Sequence, residues 1–302
     1  MPVRQVNAMT YREAYNFGKK LLLAAGIDDY DNDSSLLVQH VIESPNWFGL
    51  DHSTELTKAQ EELFLQLLSQ RERRVPLQHI IGYMYFYGYK FHTREGVLIP
   101  RYDTENLVER ALKAAPDRNI RFLDLCTGSG CIGISFWRRR RREGRVDHGL
   151  LTDISPEALS LAKENIDLQI AFDDGLGEIT DELGTHLEVM ESDLFDALEG
   201  QKFDLILSNP PYIPVSEMEG LMPEVRDHDP RIALTDEGDG LSFYRRIAAE
   251  AKTYLKPDGY LVLEIGYDQG EAVPEIMKDA GFERVNVYKD LAGMDRVVVV
   301  HR

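Results

Sequence analysis

Cysteine is almost missing from this sequence: Cys126 and Cys131 are the only two in 302 residues. Two thiols make no disulfide framework, and with no His/Cys cluster around them a structural metal is not expected. Positive charge is short as well. Lys and Arg total 34 against 52 Asp and Glu, a formal net charge of −18. A chain this acidic repels phosphate backbones overall, which weighs against a general nucleic-acid binder. No apolar run approaches the roughly 18 residues of a membrane span, and residues 1–10 contain no apolar signal core. These absences lead us to expect a reduced, soluble, cytoplasmic protein without a membrane partner. At 43% apolar and 28% charged residues the chain is not disordered or low-complexity. At about 150 residues per domain its length suggests two domains.

The first 75 or so residues read as helical. Thr10 and Glu13 stand at capping-box spacing ahead of Leu21, Leu22 and Leu23, and Gly26 stops the run. Asp33 or Ser34 is expected to cap a second helix bearing Leu36, Leu37 and Val41, with Pro45 beyond its end. Thr57 and Gln60 repeat the box before Leu63, Phe64, Leu67 and Leu68. Residues 83–91 alternate and are rich in aromatics, with Gly82 and Gly88 as punctuation, which predicts a β-hairpin.

From about Asn119 strand and helix patterns alternate. Strands are expected at 120–125, 148–153, 187–193, 203–212 and 259–266, and residues 284–290 and 295–300 read as a closing antiparallel pair. Helices are expected through Ile134 and Trp137, over 155–165 and over 274–281, and the polar stretch 166–185 reads as a loop. Such alternation implies an α/β fold, a mostly parallel sheet covered on both faces.

The segment DLCTGSGC (124–131) puts Gly128 and Gly130 between a strand and a helix. Glycines there let the backbone approach a ligand, and a helix N-terminus favours negative charge. No Gly-Lys-Ser/Thr follows, so this is not a phosphate loop. Asp153 ends the second strand, where an acid can accept from both hydroxyls of a ribose; it is equally placed to cap the next helix. Asp193 ends the third strand and is either an acceptor for an adenine amino group or a turn acid.

The tetrapeptide NPPY (Asn209, Pro210, Pro211, Tyr212) follows an apolar strand. Prolines donate no backbone hydrogen bond and hold the chain extended, leaving their carbonyls free. A planar NH2 group could donate one proton to the Asn209 side chain and one to the Pro210 carbonyl, with Tyr212 stacked on its face. That arrangement aims the nitrogen out of plane toward the glycine cleft.

At these residues the sequence resembles the S-adenosylmethionine-dependent methyltransferases of planar amino groups. DLCTGSG resembles their first cofactor motif, TDIS (152–155) their second and SNPPY their catalytic motif. The stretch 82–109, GYMYFYGYKFHTREGVLIPRYDTENLVE, narrows the resemblance to the HemK-type glutamine methyltransferases that act on peptide chain release factors. It continues in DPRIAL (229–234), DGLSFYRRI (239–247), LEIGYDQGEAV (263–273) and DLAGMDRVV (290–298). The resemblance implies a Rossmann-like seven-stranded methyltransferase sheet over residues 101–302. It is preceded by a helical substrate-recognition domain (1–75) and a β-hairpin linker (76–100).

The same resemblance implies that Thr127, Gly128, Ser129 and Gly130 line the methionine and ribose part of S-adenosylmethionine. Asp153 would hold the ribose, Asp193 and Leu194 would border the adenine, and Asn209, Pro210, Pro211 and Tyr212 would hold the substrate glutamine amide. The product would be S-adenosylhomocysteine, no metal is implied, and the protein partner would be a release factor. Phe91 is either near cofactor or substrate or a hairpin core aromatic, and Arg101 is expected to pair with a carboxylate such as Glu105. The family usually has Gly where this chain has Cys126. The five arginines at 138–142 read as an exposed basic helix end or an anionic-partner patch. Two rival enzymes share this chemistry: a nucleic-acid adenine N6-methyltransferase and a glutamine methyltransferase of a ribosomal protein. A non-catalytic cofactor-binding protein is disfavoured by the complete tetrapeptide, and the charge of −18 argues against direct sequence-specific nucleic-acid binding.

Overall fold

Helix α1 (Tyr11–Ala24) starts at its expected capping box: the Thr10 hydroxyl accepts the Glu13 N–H at 3.2 Å, and the Glu13 carboxylate takes the Thr10 N–H at 2.8 Å. Such a cap contributes about 1 kcal/mol. Helix α2 (Tyr30–Val41) begins earlier than expected, so Asp33 and Ser34 lie inside it. Both are claimed by tertiary contacts instead. Asp33 accepts the buried Arg71 Nε at 2.7 Å, and the Ser34 hydroxyl donates to the Tyr15 carbonyl at 2.8 Å. An unpaired buried charge would cost roughly 3–5 kcal/mol, more than any cap contributes. Helix α3 (Lys58–Glu72) keeps its Thr57/Gln60 box, and α4 (Leu77–Ile81) ends at Gly82. Leu22, Leu37, Phe64 and Leu68 anchor the apolar core of these helices.

This computed structural model describes residues 8–44, 46–171 and 186–302, in two compact units, Met1–Gly82 and Tyr83–Arg302. Pro45, read as following a helix end, lies outside the described residues.

The second unit opens with strands β1 (Tyr83–Phe86) and β2 (Tyr89–His92), antiparallel with Phe86 opposite Tyr89. Tyr87 and Gly88 form the turn with φ of 52° and 79°, the two left-handed positions of a type I′ hairpin. Met84, Phe86, Tyr89 and Phe91 pack into one core with Phe122 of a sheet strand and Phe136 of the helix that follows that strand. The hairpin is thus built into this unit. Phe91 is a core aromatic, edge-on to Phe86 with centroids 6.1 Å apart.

Then follow α5 (Glu105–Ala114), β3 (Arg121–Leu125), α6 (Cys131–Arg142), β4 (His148–Asp153), α7 (Pro156–Ala171), β5 (Leu187–Glu191) and β6 (Phe203–Ser208). The chain closes with α8 (Pro223–Arg226), α9 (Arg231–Leu234), α10 (Ser242–Tyr254), β7 (Leu255–Glu264), α11 (Ala272–Asp279), β8 (Arg284–Lys289) and β9 (Asp295–His301). Strand order is β5-β4-β3-β6-β7-β9-β8; the first five are parallel, and β9 is antiparallel to both β7 and β8. Fully buried β6 reflects a central strand covered on both faces. Helices α5 and α10 lack side-chain caps, which is why no start signal announced them.

Two expectations change here. Helix α7 runs on to Ala171, so residues 166–171 are not loop, while 172–185 lie outside the described residues. Ile166 and Gln169 are buried, and Gln169 donates to the Lys90 carbonyl, so packing extends the helix through a polar stretch. The arginines of α6 are an exposed helix end only in part: Arg139 and Arg142 are exposed, Arg141 is half-buried, and Arg138 and Arg140 are buried. Arg140 is buried with Nε 2.7 Å from Asp147, and buried Arg138 donates to Gln169 Oε1 at 3.1 Å and covers the Tyr89 ring at 4.7 Å. Arg142 also covers Tyr89, Arg141 covers Trp137, and Arg139 faces Glu143 at 3.5 Å.

Candidate functional site

Strand order reverses direction at β3, with β4 on one side and β6 on the other. At such a point the loops leaving neighbouring strands diverge and open a crevice at their carboxyl ends. The glycine turn leaves β3 there, and Asn209 to Tyr212 leave β6 beside it.

Gly128, Gly130 and Gly133 stand at full Gly-x-Gly-x-x-Gly spacing. Beneath the turn, buried Asp124 accepts the Thr127 hydroxyl at 2.6 Å and the Gly133 N–H at 3.0 Å. Burial outweighs these bonds and pushes Asp124 up to about 7. From α7, Asn165 donates to the Ser129 carbonyl at 2.9 Å. Asp153 accepts the Gly128 N–H at 2.9 Å and the Ser155 N–H at 3.0 Å. It therefore tethers the glycine turn and supports the start of α7 together. Burial raises its proton affinity, and the backbone N–H groups of Ser155, Gly128 and Ile154 oppose that rise.

A first cleft is lined by Cys126, Gly128, Asp153, Asp193, Leu194, Asn209 and Pro211, with Ile154, Phe243 and Arg246 among the remaining walls. Gly128 has φ 55°, and no atom lies within 4 Å of where its side chain would begin. The backbone there is bare toward the cleft, as close contact with a ligand requires. Acids at Asp153 and Asp193, apolar walls at Ile154 and Phe243, and this bare turn suit a ribose, a purine and an amino-acid chain. Those are the parts of S-adenosylmethionine. Thr127, Ser129, Gly130 and Pro210 do not line the cleft; Thr127 and Ser129 are buried beneath it. Arg246 reaches Asp193 Oδ1 at 2.9 Å, a partner that no local signal announced.

Cys126 (φ 56°) and Leu194 (φ 51°) are both left-handed, a conformation costing a side-chain-bearing residue about 1–2 kcal/mol. Two such positions on one cleft mark a site whose surroundings over-determine its backbone. Burial pushes the Cys126 thiol far above its ordinary value and Cys131 up to about 12, so neither is a ready nucleophile.

A second cleft is lined by Leu98, Arg101, Asn209, Tyr212, Ile213 and Glu264, among others. Asn209 lines both clefts. Its Nδ2 donates to Thr104 Oγ1 at 3.4 Å, and the Tyr212 hydroxyl donates to Glu264 Oε1 at 3.4 Å. Gln269 clamps the loop from behind. Its Nε2 donates to the carbonyls of Tyr212 at 3.1 Å and Gly240 at 3.2 Å, and its Oε1 accepts the Gly266 N–H at 2.9 Å. Gly240 lies so close that a side chain would begin 2.3 Å from the Tyr212 carbonyl oxygen. Arg101 pairs with Asp229 rather than with Glu105, whose carboxylate instead accepts the Tyr87 N–H at 2.7 Å. Glu264, Gln269, Phe243 and Arg246 are site residues that the motif reading missed, although each lies in a segment quoted above.

Residues 13–82 match the PrmC N-terminal domain family and residues 91–221 the methyltransferase small domain family. The release factor glutamine methyltransferase of Cereibacter sphaeroides is 41% identical over 92% of this chain and 93% of its own length. That of Caulobacter vibrioides is 36% identical over 96% of both chains. This chain belongs to the release factor glutamine methyltransferase family. Among solved structures, a release factor-specific protein-(glutamine-N5) methyltransferase from Alicyclobacillus acidocaldarius is 29% identical. It covers 68% of this chain and 94% of its own, with a TM-score of 0.39. This family member shows no group of three or more His, Cys, Asp or Glu among the described residues that could hold a metal. No described helix is long and apolar enough to cross a membrane.

Proposed function

We propose that this chain methylates the side-chain amide nitrogen of a glutamine in a peptide chain release factor, using S-adenosylmethionine. The observation that carries the reading is Asn209, the one polar side chain that lines both clefts, beside the apolar Leu98 and Ala233. Family membership supports the same assignment.

An amide nitrogen is a poor nucleophile because its lone pair is delocalised into the carbonyl. Asn209 Oδ1 and the Pro210 carbonyl would accept the two amide protons. Acceptors placed there favour the pyramidal, partly positive nitrogen of the transition state. The Tyr212 ring would stack on the amide, and Gln269 and Gly240 hold that loop in place. Fixing the nitrogen in line can contribute on the order of 7–11 kcal/mol. S-adenosylmethionine, when bound, supplies the electrophilic methyl group. Gly128, Asp153, Asp193 and Leu194 would hold it in the first cleft. The N–C bond would form as the sulfonium S–C bond breaks, leaving S-adenosylhomocysteine. The nitrogen, acidic only once methylated, would pass its proton to water, so no strong base is needed before attack.

The amide pocket is generic, so choosing one glutamine falls to surface outside it. We assign that role to the helical unit, residues 1–82. The net charge of −18 weighs against a nucleic-acid substrate. Incubation with labelled S-adenosylmethionine and intact release factors, followed by peptide mass mapping, should place one methyl on one glutamine side chain. Label on a ribosomal protein or on adenine, with none on release factors, would overturn the substrate assignment.

A further inference from the structure

Asp124, Asp229 and Glu264 each keep one buried carboxyl oxygen without a hydrogen-bond partner among the described residues. Asp124 holds the glycine turn and Asp229 holds Arg101. Glu264 has no part in the mechanism above, yet it ends β7, is 1% exposed and lines the second cleft with Asn209 and Tyr212. Leaving an acid so enclosed is costly, and such groups cluster where they act.

The groups around it come from four elements. The Tyr212 hydroxyl donates to Oε1 at 3.4 Å, and the Thr104 hydroxyl, just before α5, stabilises the charged carboxylate. Arg296 on β9 attracts it and Asp103 repels it, while Arg296 is itself held 3.2 Å from Asp290. From α10, the Tyr244 hydroxyl donates to the Glu264 backbone carbonyl at 2.8 Å.

Thr104 links this acid to the catalytic motif. A threonine hydroxyl has one proton to give. Turned toward Glu264, whose charge it stabilises, that proton leaves only lone pairs facing Asn209. The Asn209 side chain must then present Nδ2 to Thr104, as observed at 3.4 Å, and keep Oδ1 for the incoming amide. Were the hydroxyl free to turn, the Asn209 amide could flip and offer a donor where an acceptor is needed.

We propose that Glu264 is a positioning residue: through Thr104 it fixes the orientation of the Asn209 side-chain amide, and through the Tyr212 hydroxyl it fixes that ring. The inference rests on the reading of Asn209–Tyr212 as the glutamine-amide site. Because burial pushes Glu264 up to about 7, activity should have an acid limb near that pH. Protonation turns one carboxyl oxygen into a donor and weakens the acceptors that hold the two hydroxyls.

Glu264→Gln keeps the volume and removes the titration. Its kcat on a release factor should fall about 10- to 100-fold, the scale of a 1 Å misplacement. Its affinity for S-adenosylhomocysteine should be unchanged and the acid limb lost. Thr104→Val should lose a similar factor, Thr104→Ser should restore activity, and the double variant should be no slower than the slower single one. A readout independent of turnover is the side-chain NH2 resonance of Asn209 in nitrogen-labelled protein. It should shift with pH near 7 in the native chain and stay still in Glu264→Gln. A folded Glu264→Gln protein with native kcat, or an Asn209 resonance that titrates identically in both proteins, would overturn the proposal. If the native chain methylates no release factor, the functional reading fails, and the resonance still decides the link from Glu264 to Asn209.

Discussion

Asp153 carries two duties that substitution can separate. Its carboxylate tethers the Gly128 N–H at 2.9 Å and the Ser155 N–H at 3.0 Å, and it also lines the first cleft. Asp153→Ala removes both tethers and the proposed acceptor for ribose. Asp153→Asn keeps one oxygen acceptor and loses the charge. A hydrogen bond to a charged group contributes roughly 1.5–3 kcal/mol. At about 1.4 kcal/mol per decade, losing one such contact weakens binding roughly 10- to 150-fold. Calorimetry with S-adenosylhomocysteine should show that loss in Asp153→Ala and the lower end of it in Asp153→Asn. Thermal unfolding without ligand should fall further in the alanine variant, which has lost both backbone tethers. If both variants bind S-adenosylhomocysteine as the native chain does while Asp153→Ala loses stability, Asp153 is a structural tether only.

Gln269→Leu strands two carbonyls and one N–H behind the catalytic loop; at about 0.5–1.5 kcal/mol per bond, urea unfolding should show a loss of about 2–4 kcal/mol. An unchanged midpoint would mean the clamp contributes nothing. At position 126, φ 56° penalises any Cβ by about 1–2 kcal/mol, against about 0.4–1 kcal/mol of extra unfolded-state freedom for glycine. Cys126→Gly should therefore exceed Cys126→Ala in stability by up to ~1.5 kcal/mol, and the reverse order would place the strain elsewhere. Asp124 is raised from 3.8 to about 7 on folding, so between those values the folded chain holds a proton that the unfolded chain has released. Its contribution is full below that interval and is lost as pH rises through it, at up to ~1.4 kcal/mol per pH unit. Asp124→Asn should flatten that stretch of the stability profile, and a slope equal to the native one would show that Asp124 is ionised throughout.

What the sequence by itself determined was whatever depends on near neighbours. Capping boxes at Thr10 and Thr57, the hairpin turn at Tyr87–Gly88 and the apolar strands of the sheet all obey rules a few residues long. The motif tetrapeptide and the glycine turn are local in the same way, so the placement of each at a strand end was legible; that β3 and β6 lie side by side was decided by the sheet. Tertiary structure alone decided the partners of charge. Asp33 left its expected cap for Arg71, Arg101 passed over Glu105 for Asp229, and Arg138 and Arg140 turned inward to Gln169 and Asp147. It also decided that Glu264 and Gln269 stand behind Asn209 and Tyr212, contacts that join strands far apart in the chain. A buried charge or amide takes whichever partner the completed fold brings within 3 Å or so, because leaving it unpaired costs more than any local preference provides.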